Sequence, residues 1–223
     1  PPFDRKEARL AFAHAVDRDK LNQEANKGGA SIANGPFAPG VSGYVEDSGR
    51  PQYDLEKAKA LVAQLKADGV DMSFTLVDTP DPASVRPTVL TIEMLEAVGF
   101  DVTLKIESEE ELINRAIVGD FQAAAFRNQP GDDPDMNYMW WYGKGNPVNF
   151  ARFDDPEIND ALTKGRSEPD EDKRRSHYET VHEQMATEVY YAYSWYVPWA
   201  IAEASNVHGI LGPELPDGGE PAK

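Results

Sequence analysis

A strand–helix–strand pattern in the middle of the chain limits the folds open to it more than any other feature. Residues 72–77 have the pattern of a buried strand, and residues 83–98 have that of an amphipathic helix that ends at Gly99. Residues 101–107 then alternate apolar and polar side chains, which is the period of a half-buried strand. This order predicts a βαβ unit and therefore an α/β fold. The apolar face of the helix is predicted to carry Val85, Val89, Ile92 and Leu95.

Helices are predicted on both sides of this unit, and their starts are marked by capping residues. Asp17 and Asp54 each precede a helical pattern as N-cap residues. Ser108 and Glu111 have the spacing of a capping box. Asp155 precedes a proline, which is favoured at the first helical position. These four starts indicate that the α/β core has helical flanks.

The remaining segments divide into a loop, a third strand, a long helix and two late strands. Glycine and proline over residues 28–40 favour an ordered loop without regular structure. Residues 121–126 are predicted to form the third strand. Residues 170–188 are predicted to form a long helix, with Tyr178, Val181, Met185 and Val189 on one face. Two late strands are predicted over residues 190–198 and 199–204.

Composition excludes several classes of function. The formal net charge of -17 argues against nucleic acid and against an anionic membrane surface, because both select basic patches. The chain has no cysteine, which excludes disulfides, thiol chemistry and cysteine-based metal centres. His177 and His182 are five residues apart and so face different sides of a helix. We therefore expect neither a metal site nor a cofactor.

The loop after the third strand is the best candidate for a functional site. Open α/β sheets bind their ligands at the carboxyl ends of strands, which is where this loop begins. It combines forked donors with carboxylates, a set suited to a zwitterion or another polar solute. An aromatic segment, residues 139–142, follows it. The predicted ligand-binding residues are Arg127, Asn128, Gln129, Asp132, Asp133 and Trp140.

Other roles stay open for some of these side chains. Asp132, Asp133 and Asp135 could bind a divalent cation, but the spacing of a calcium loop is missing, and capping of turns or helices is favoured. Trp140 and Trp141 could both serve ordinary helix packing, and we expect one of the two to be buried.

Seven short motifs follow one another along the chain in an order that carries a resemblance. They are the helix with Arg9 and Ala15-Val16-Asp17-Arg18, the loop Asn34-Gly35-Pro36-Phe37-Ala38-Pro39-Gly40, the helix from Tyr53 to Leu61, Gly119-Asp120-Phe121, Asp133-Pro134-Asp135, Asn149-Phe150-Ala151-Arg152-Phe153, and the pair Asp170 and Arg174. In this order they resemble the C-terminal portion of extracellular solute-binding protein family 5. That family comprises the dipeptide-, oligopeptide- and nickel-binding proteins of ABC importers.

The resemblance implies a two-lobed clamp of the type II periplasmic-binding-protein-like class, which closes over a solute and delivers it to a permease. Residues 1–223 would form a single C-terminal lobe, with the βαβ core at about residues 70–127 and the N-terminal lobe absent. Its solute would be a peptide or a related polar organic molecule, and it would catalyse nothing. Its partners would be the N-terminal lobe and the ABC permease. Its location would be extracytoplasmic, in the periplasm or at the cell surface with a lipid anchor.

The candidate loop departs from the pattern of peptide-binding members. Those members carry a Trp in this loop and, further on, an Asp that pairs with the amino group of the ligand. Aligned without a gap, Arg127 and Pro130 occupy these two positions, so that Asp132 or Asp133 would have to supply the carboxylate. Two functions of other classes remain as alternatives: a metal-dependent hydrolase that uses Asp132, Asp133 and Asp135, and a stand-alone protein-interaction domain.

Overall fold

The computed structural model describes residues 1–127, 133–197 and 204–207, and its elements follow the predicted α/β order. The elements are α1 (Lys6–Ala15), α2 (Arg18–Asn26), β1 (Ser31–Ile32), α3 (Leu55–Ala67), β2 (Ser73–Asp78), α4 (Pro82–Glu96), β3 (Asp101–Ile106), α5 (Glu109–Val118), β4 (Ala123–Ala124), a 3₁₀ turn (Pro134–Asn137), α6 (Tyr138–Trp141), α7 (Pro156–Ser167), α8 (Glu171–Glu188) and β5 (Trp195–Tyr196). Among the described helices, none is both long enough and apolar enough to cross a membrane.

The main sheet is parallel and has the strand order β3-β2-β4. β2 pairs with β3 along its whole length, so that Asp78 at its end faces Ile106. On its other side β2 pairs with β4, where Val77 faces Ala124. Because α4 connects β2 to β3, the predicted βαβ unit is confirmed. The carboxyl ends of the strands lie at the same edge of the sheet, where α/β proteins bind ligands.

A first apolar core lies between this sheet and helices α1, α3 and α4. Its most buried members include Ala8 and Ala11 of α1, whose small side chains let that helix approach α3 closely. The predicted face of α4 was partly wrong, because Val89 is 39% exposed whereas Thr88 is only 7% exposed. Thr88 and Leu95 are seven residues apart and share the stripe that faces the core, and Val89 lies at its margin.

A second apolar core lies between α7 and α8. It is rich in aromatic side chains and contains Tyr178, Val181 and Met185 of the predicted face of α8, whereas Val189 lies just beyond the helix end. Its buried members are Phe37, Trp141, Phe153, Ile158, Ala161, Leu162, Tyr178, Val181 and Met185.

Contacts between α1 and the end of α8 join the two cores. Arg9 Nε donates to the Glu188 carbonyl at 2.9 Å, and its guanidinium lies 5.0 Å from the centre of the Tyr190 ring. Lys6 pairs with the Glu188 carboxylate. Two cationic side chains thus bind the carboxyl end of α8, where the helix dipole favours positive charge.

The predicted capping residues all cap helices. Asp17 accepts from the Lys20 backbone N–H, and Asp54 accepts from that of Lys57. Asp155 caps α7, and both hydrogen bonds of the Ser108–Glu111 capping box are formed at α5. These signals lie within a few residues of the helix starts, which explains why the sequence reveals them.

Two of the predictions about loops and strands were wrong. Ser31 and Ile32, expected in a loop, pair with Tyr196 and Trp195 as a short antiparallel ribbon. The predicted late strand over 190–198 is reduced to β5, the two residues that pair with β1. The strand predicted over 121–126 is likewise shorter, and the one over 199–204 lies almost entirely outside the described residues.

Candidate ligand-binding site

The candidate loop leaves the sheet at Arg127, just after β4. Arg127 Nη2 donates to Asp81 Oδ2 at 2.9 Å, and both side chains are about half exposed, at 55% and 45%. Asp81 is the N-cap of α4 and follows β2, the strand next to β4. The pair therefore lies at the carboxyl edge of the sheet, with one partner from each of two adjacent strands.

The described part of the loop resumes at Asp133, whose carboxylate makes two kinds of contact. Asp133 Oδ1 accepts from the Asp135 backbone N–H at 2.9 Å and so caps the 3₁₀ turn. The same oxygen accepts from Arg174 Nη2 of α8 at 2.6 Å. Burial raises the pKa of Asp133, but the hydrogen bonds from Arg174 and Asp135 outweigh it and hold that pKa below its ordinary value. The expected capping role is confirmed for Asp133.

These attachments show how the candidate loop is held at its two ends. It starts beside α4, where Arg127 pairs with Asp81, and ends beside α8, where Arg174 pairs with Asp133. Three other predicted site residues, Asn128, Gln129 and Asp132, lie outside the described residues. The structure thus fixes the ends of the loop against two different helices.

An aromatic triad, formed by Phe126, Trp140 and Phe150, lies beside the start of the loop. The Phe150 ring packs edge-on against both of the others, with centroid distances of 5.5 Å to Phe126 and 5.9 Å to Trp140. Phe126 is 51% exposed, and Trp140 is half-buried. Trp141, by contrast, is buried in the second core, so the expectation that one tryptophan of the two is buried is confirmed. The triad offers an apolar surface next to the charged pair.

The carboxylate of Asp135 is also occupied. Arg166 Nη2 donates to Asp135 Oδ2 at 3.2 Å, and the Tyr178 hydroxyl donates to Oδ1 at 3.3 Å. Burial, followed by the nearby charge of Asp135, raises the pKa of Tyr178 to about 12, so its hydroxyl remains a donor. Within the described residues, no group of three histidine, aspartate or glutamate side chains could hold a metal ion.

Two residues of this region, Asp81 and Phe150, were not predicted as site residues. Asp81 directly follows the β2 pattern, and the rule that ligands bind at the carboxyl ends of strands could have pointed to it. Phe150 belongs to one of the seven motifs, but nothing in that motif places it at this site. It is 24 residues beyond Phe126 in the sequence and meets it only through packing.

Comparison with known proteins places this geometry in a familiar fold. Residues 1–150 match the model of the bacterial extracellular solute-binding proteins, family 5. The probable di/tripeptide-binding protein 5 of Pseudomonas aeruginosa is 28% identical over 82% of this chain, and the match spans 37% of that relative. The chain therefore spans less than half the length of such relatives.

Many solved structures share the fold, AppA and AgaA among them. The oligopeptide-binding protein AppA of Bacillus subtilis, in complex with a nonapeptide, has a TM-score of 0.78 and 22% identity, and the match covers 87% of this chain and 42% of that one. AgaA of A. tumefaciens R10, in complex with agropinic acid, has a TM-score of 0.72 and 26% identity, with coverage of 85% and 40%. The members of this family are solute-binding proteins and not enzymes. The family model matches about two thirds of this chain, and the solved structures have an α/β lobe of the same fold. The chain therefore belongs to the bacterial extracellular solute-binding proteins of family 5.

Proposed function

We propose that this chain supplies one lobe of an extracytoplasmic protein that captures a peptide, or a related polar organic solute, for an ABC importer. The observation that carries the proposal is the carboxyl edge of β2 and β4, where the exposed Arg127–Asp81 pair lies on a family 5 fold. A charged pair that can offer both a donor and an acceptor suits a solute with polar ends. The aromatic triad adds a surface for apolar groups of the same solute.

In this proposal residues 1–223 form the C-terminal lobe of a two-lobed clamp, and the N-terminal lobe comes from elsewhere in the parent protein. A complete pocket buries about 70–90% of a small ligand, which one open lobe cannot do. The solute stabilises the closed form by contacting both lobes. The closed protein delivers the solute to a membrane permease, either from the periplasm or from the cell surface with a lipid anchor.

The proposed ligand contacts of this lobe are the predicted residues of the candidate loop, Arg127, Asn128, Gln129, Asp132 and Asp133, with Trp140 beside them. The structure supports different roles for Arg127 and Asp133, the residues at the two ends of the loop. Arg127 is half exposed, and its one partner within the described part of the chain is the exposed Asp81, which leaves it available to a solute. Asp133 caps a turn and pairs with Arg174, so we assign it the task of holding the loop in place.

Names of relatives favour a peptide but leave room for other solutes. The P. aeruginosa relative is named for di- and tripeptides, AppA was solved with a nonapeptide, and AgaA was solved with agropinic acid. All three solutes carry polar groups at more than one position, which is compatible with a site that presents both an arginine and carboxylates.

The test is to purify the full-length parent protein from its host, denature it, and identify the released small molecules by mass spectrometry. Isothermal titration calorimetry with the recovered solute then gives its affinity. Recovery of a peptide supports the proposed class, and recovery of another polar solute keeps the clamp but discards the peptide. If no solute is recovered and none binds in a broad thermal-shift screen, the proposed function is wrong.

A further inference from the structure

The motif over residues 149–153 is closed on itself and anchored in the second core. The Asn149 side chain is 1% exposed and donates from Nδ2 to the Phe153 carbonyl at 2.8 Å. The Arg152 backbone N–H donates to the Asn149 carbonyl at 2.9 Å. The buried Phe153 ring stacks on that of Tyr190, with the centroids 4.3 Å apart. The backbone of this segment is therefore held without help from the side chain of Arg152.

Arg152 has an unusual backbone conformation. Its φ of 57° lies in the left-handed region, which costs free energy for a residue with a Cβ atom. Lys27 and Val189 share this conformation, but each is the C-cap of a helix, where it is common. Arg152 lies between α6 and α7 and ends no helix. Strained residues of this kind persist where their surroundings hold them, and they collect at functional sites.

The Arg152 side chain binds the carboxyl end of α5. Its Nη2 atom donates to the Ala116 carbonyl at 3.0 Å and to the Ile117 carbonyl at 2.5 Å. Both carbonyls belong to the last turn of α5, where the helix dipole favours positive charge. A Cβ atom on Gly119 would lie 3.2 Å from the same nitrogen, so the guanidinium fits closely over the turn that leads towards β4.

Phe150 lies two residues before Arg152 and reaches the aromatic triad. Its ring packs edge-on against Phe126, just after β4, and against Trp140 of α6. Phe126 is 51% exposed and the other two rings are half-buried, so these contacts remove little apolar surface from water and hold Phe150 weakly. Arg152 ties the same segment to the helix that precedes β4, and the place of the Phe150 ring beside Phe126 depends on this tie.

We propose that Arg152 is a positioning residue for solute binding, which fixes the Phe150 ring against Phe126 and so sets the apolar side of the site. It acts through Phe150 and does not touch the solute. The hydrogen bonds to α5 offset the free energy lost in its left-handed backbone. The site in consequence favours solutes that carry an apolar group beside their polar ends. This inference rests on the proposed function, because it requires a solute at this edge of the sheet.

The first experiment measures affinities of the full-length parent protein by isothermal titration calorimetry, with probes in matched pairs. One pair is alanyl-phenylalanyl-alanine and alanyl-glycyl-alanine. The other pair is the solute recovered from the purified protein and an analogue in which hydrogen replaces its largest apolar group.

The variants separate the side chain of Arg152 from a general effect on stability. Arg152→Met removes the donors and keeps the apolar stem, and Arg152→Gln takes its place if that variant does not fold. Arg152→Lys keeps the charge and one donor group. Arg9→Met is the matched control, because Arg9 likewise donates to a carbonyl at the carboxyl end of a helix, that of Glu188 in α8.

We expect Arg152→Met to raise the Kd of the apolar member of each pair about 2- to 10-fold, the range of one aromatic contact. The Kd of the other member should not change, and Arg152→Lys should recover part of the loss. In a Phe150→Ala background Arg152→Met should have no further effect, because the ring that it positions is gone. Arg9→Met should not alter the ratio of the two affinities in either pair.

A second measurement reports on the ring position without any solute. In protein labelled with fluorinated tryptophan, the substitution Trp140→Phe identifies the fluorine NMR signal of Trp140. The Phe150 ring lies 5.9 Å from that of Trp140, so its ring current acts on this signal. Arg152→Met should shift or broaden the signal, and Arg9→Met should not.

Several results would overturn the inference. An unchanged Trp140 signal in Arg152→Met would show that Arg152 does not position Phe150. Equal weakening of both members of a pair, or an effect that persists in Phe150→Ala, would leave Arg152 with a structural role only. A recovered solute without an apolar group would also overturn the inference, while solute capture stands. If the protein binds no solute of any class, the proposed function fails and this inference fails with it.

Discussion

Gly35 lies so close to the ring of His182 that no larger residue fits at that position. A Cβ atom on Gly35 would lie 2.6 Å from His182 Cε1 and 2.8 Å from Cδ2, distances that real Cβ atoms essentially never show. His182 is fully buried, and its Nδ1 atom accepts weakly from the Phe37 backbone N–H at 3.4 Å. Packing of the loop over 28–40 against α8 therefore requires glycine at position 35.

Replacing Gly35 by alanine should destabilise the chain by about 1–3 kcal/mol, because the new Cβ atom would overlap a ring that is itself buried. Urea unfolding followed by circular dichroism measures this loss. Gly29→Ala is the control, since its Cβ would meet only the Asn26 carbonyl oxygen, at 3.2 Å. In a His182→Ala background the Gly35→Ala substitution should cost much less. An equal cost in both backgrounds would contradict the packing explanation.

His182 should make stability depend on pH in the acidic range. Burial lowers the pKa of His182 from 6.5 to about 4, because the charged ring would lose its solvation. Below pH 6.5 the unfolded chain takes up a proton at this residue, and the folded chain does not do so until about pH 4. The free energy of unfolding should therefore fall as the pH drops from 6.5 to 4, by up to about 3 kcal/mol.

The measurement for this second prediction is a series of urea unfolding curves between pH 4 and pH 8. In His182→Gln the slope between about pH 5.5 and 6.5 should disappear. Below that range carboxylates with lowered pKa, such as Glu107, also contribute to the slope. His177→Gln, on the same helix but only half-buried, should keep the slope. A slope that is the same in His182→Gln as in the original chain would show that another group causes it.

Truncation of Trp141 should mainly reduce stability, whereas truncation of its neighbour Trp140 should mainly reduce solute binding. Trp141 is 1% exposed in the second core, so Trp141→Ala should cost about 3–5 kcal/mol of stability. Trp140 is half-buried in the aromatic triad, so Trp140→Ala should cost much less but should weaken solute binding in the full-length protein. Chemical unfolding and calorimetry measure the two effects, and a reversed order would contradict the assignment of the two side chains.

Local signals in the sequence predicted much of the fold. The βαβ unit, the capping residues and the buried face of α8 depend on periodicity or on side chains within one helical turn, and all of them are present. The ribbon of β1 and β5 was missed because its two strands are far apart in the chain and only two residues long. The face of α4 was misplaced because period alone does not tell which edge of an apolar stripe reaches the core.

The place of the candidate loop in the fold was predictable, but the partner of Arg127 was not. The rule that ligands bind at the carboxyl ends of strands led to the loop after β4 and to Arg127. Its partner Asp81 lies 46 residues earlier, and only the parallel pairing of β2 with β4 brings the two together. Asn128, Gln129 and Asp132 remain predictions.

Arg127 should matter for solute binding and very little for stability. Its pair with Asp81 is exposed and contributes no more than about 1 kcal/mol to folding, so Arg127→Ala should melt within a few degrees of the original protein. In the full-length protein the same substitution should raise the Kd of the co-purified solute about tenfold or more, because its charge-assisted donors are lost.

Arg175→Ala is the matched control, because Arg175 forms a similarly exposed pair with Asp172, within α8. Calorimetric titration of the three proteins decides the matter: if Arg127→Ala and Arg175→Ala both bind the solute with unchanged affinity, the ligand loop does not begin at Arg127.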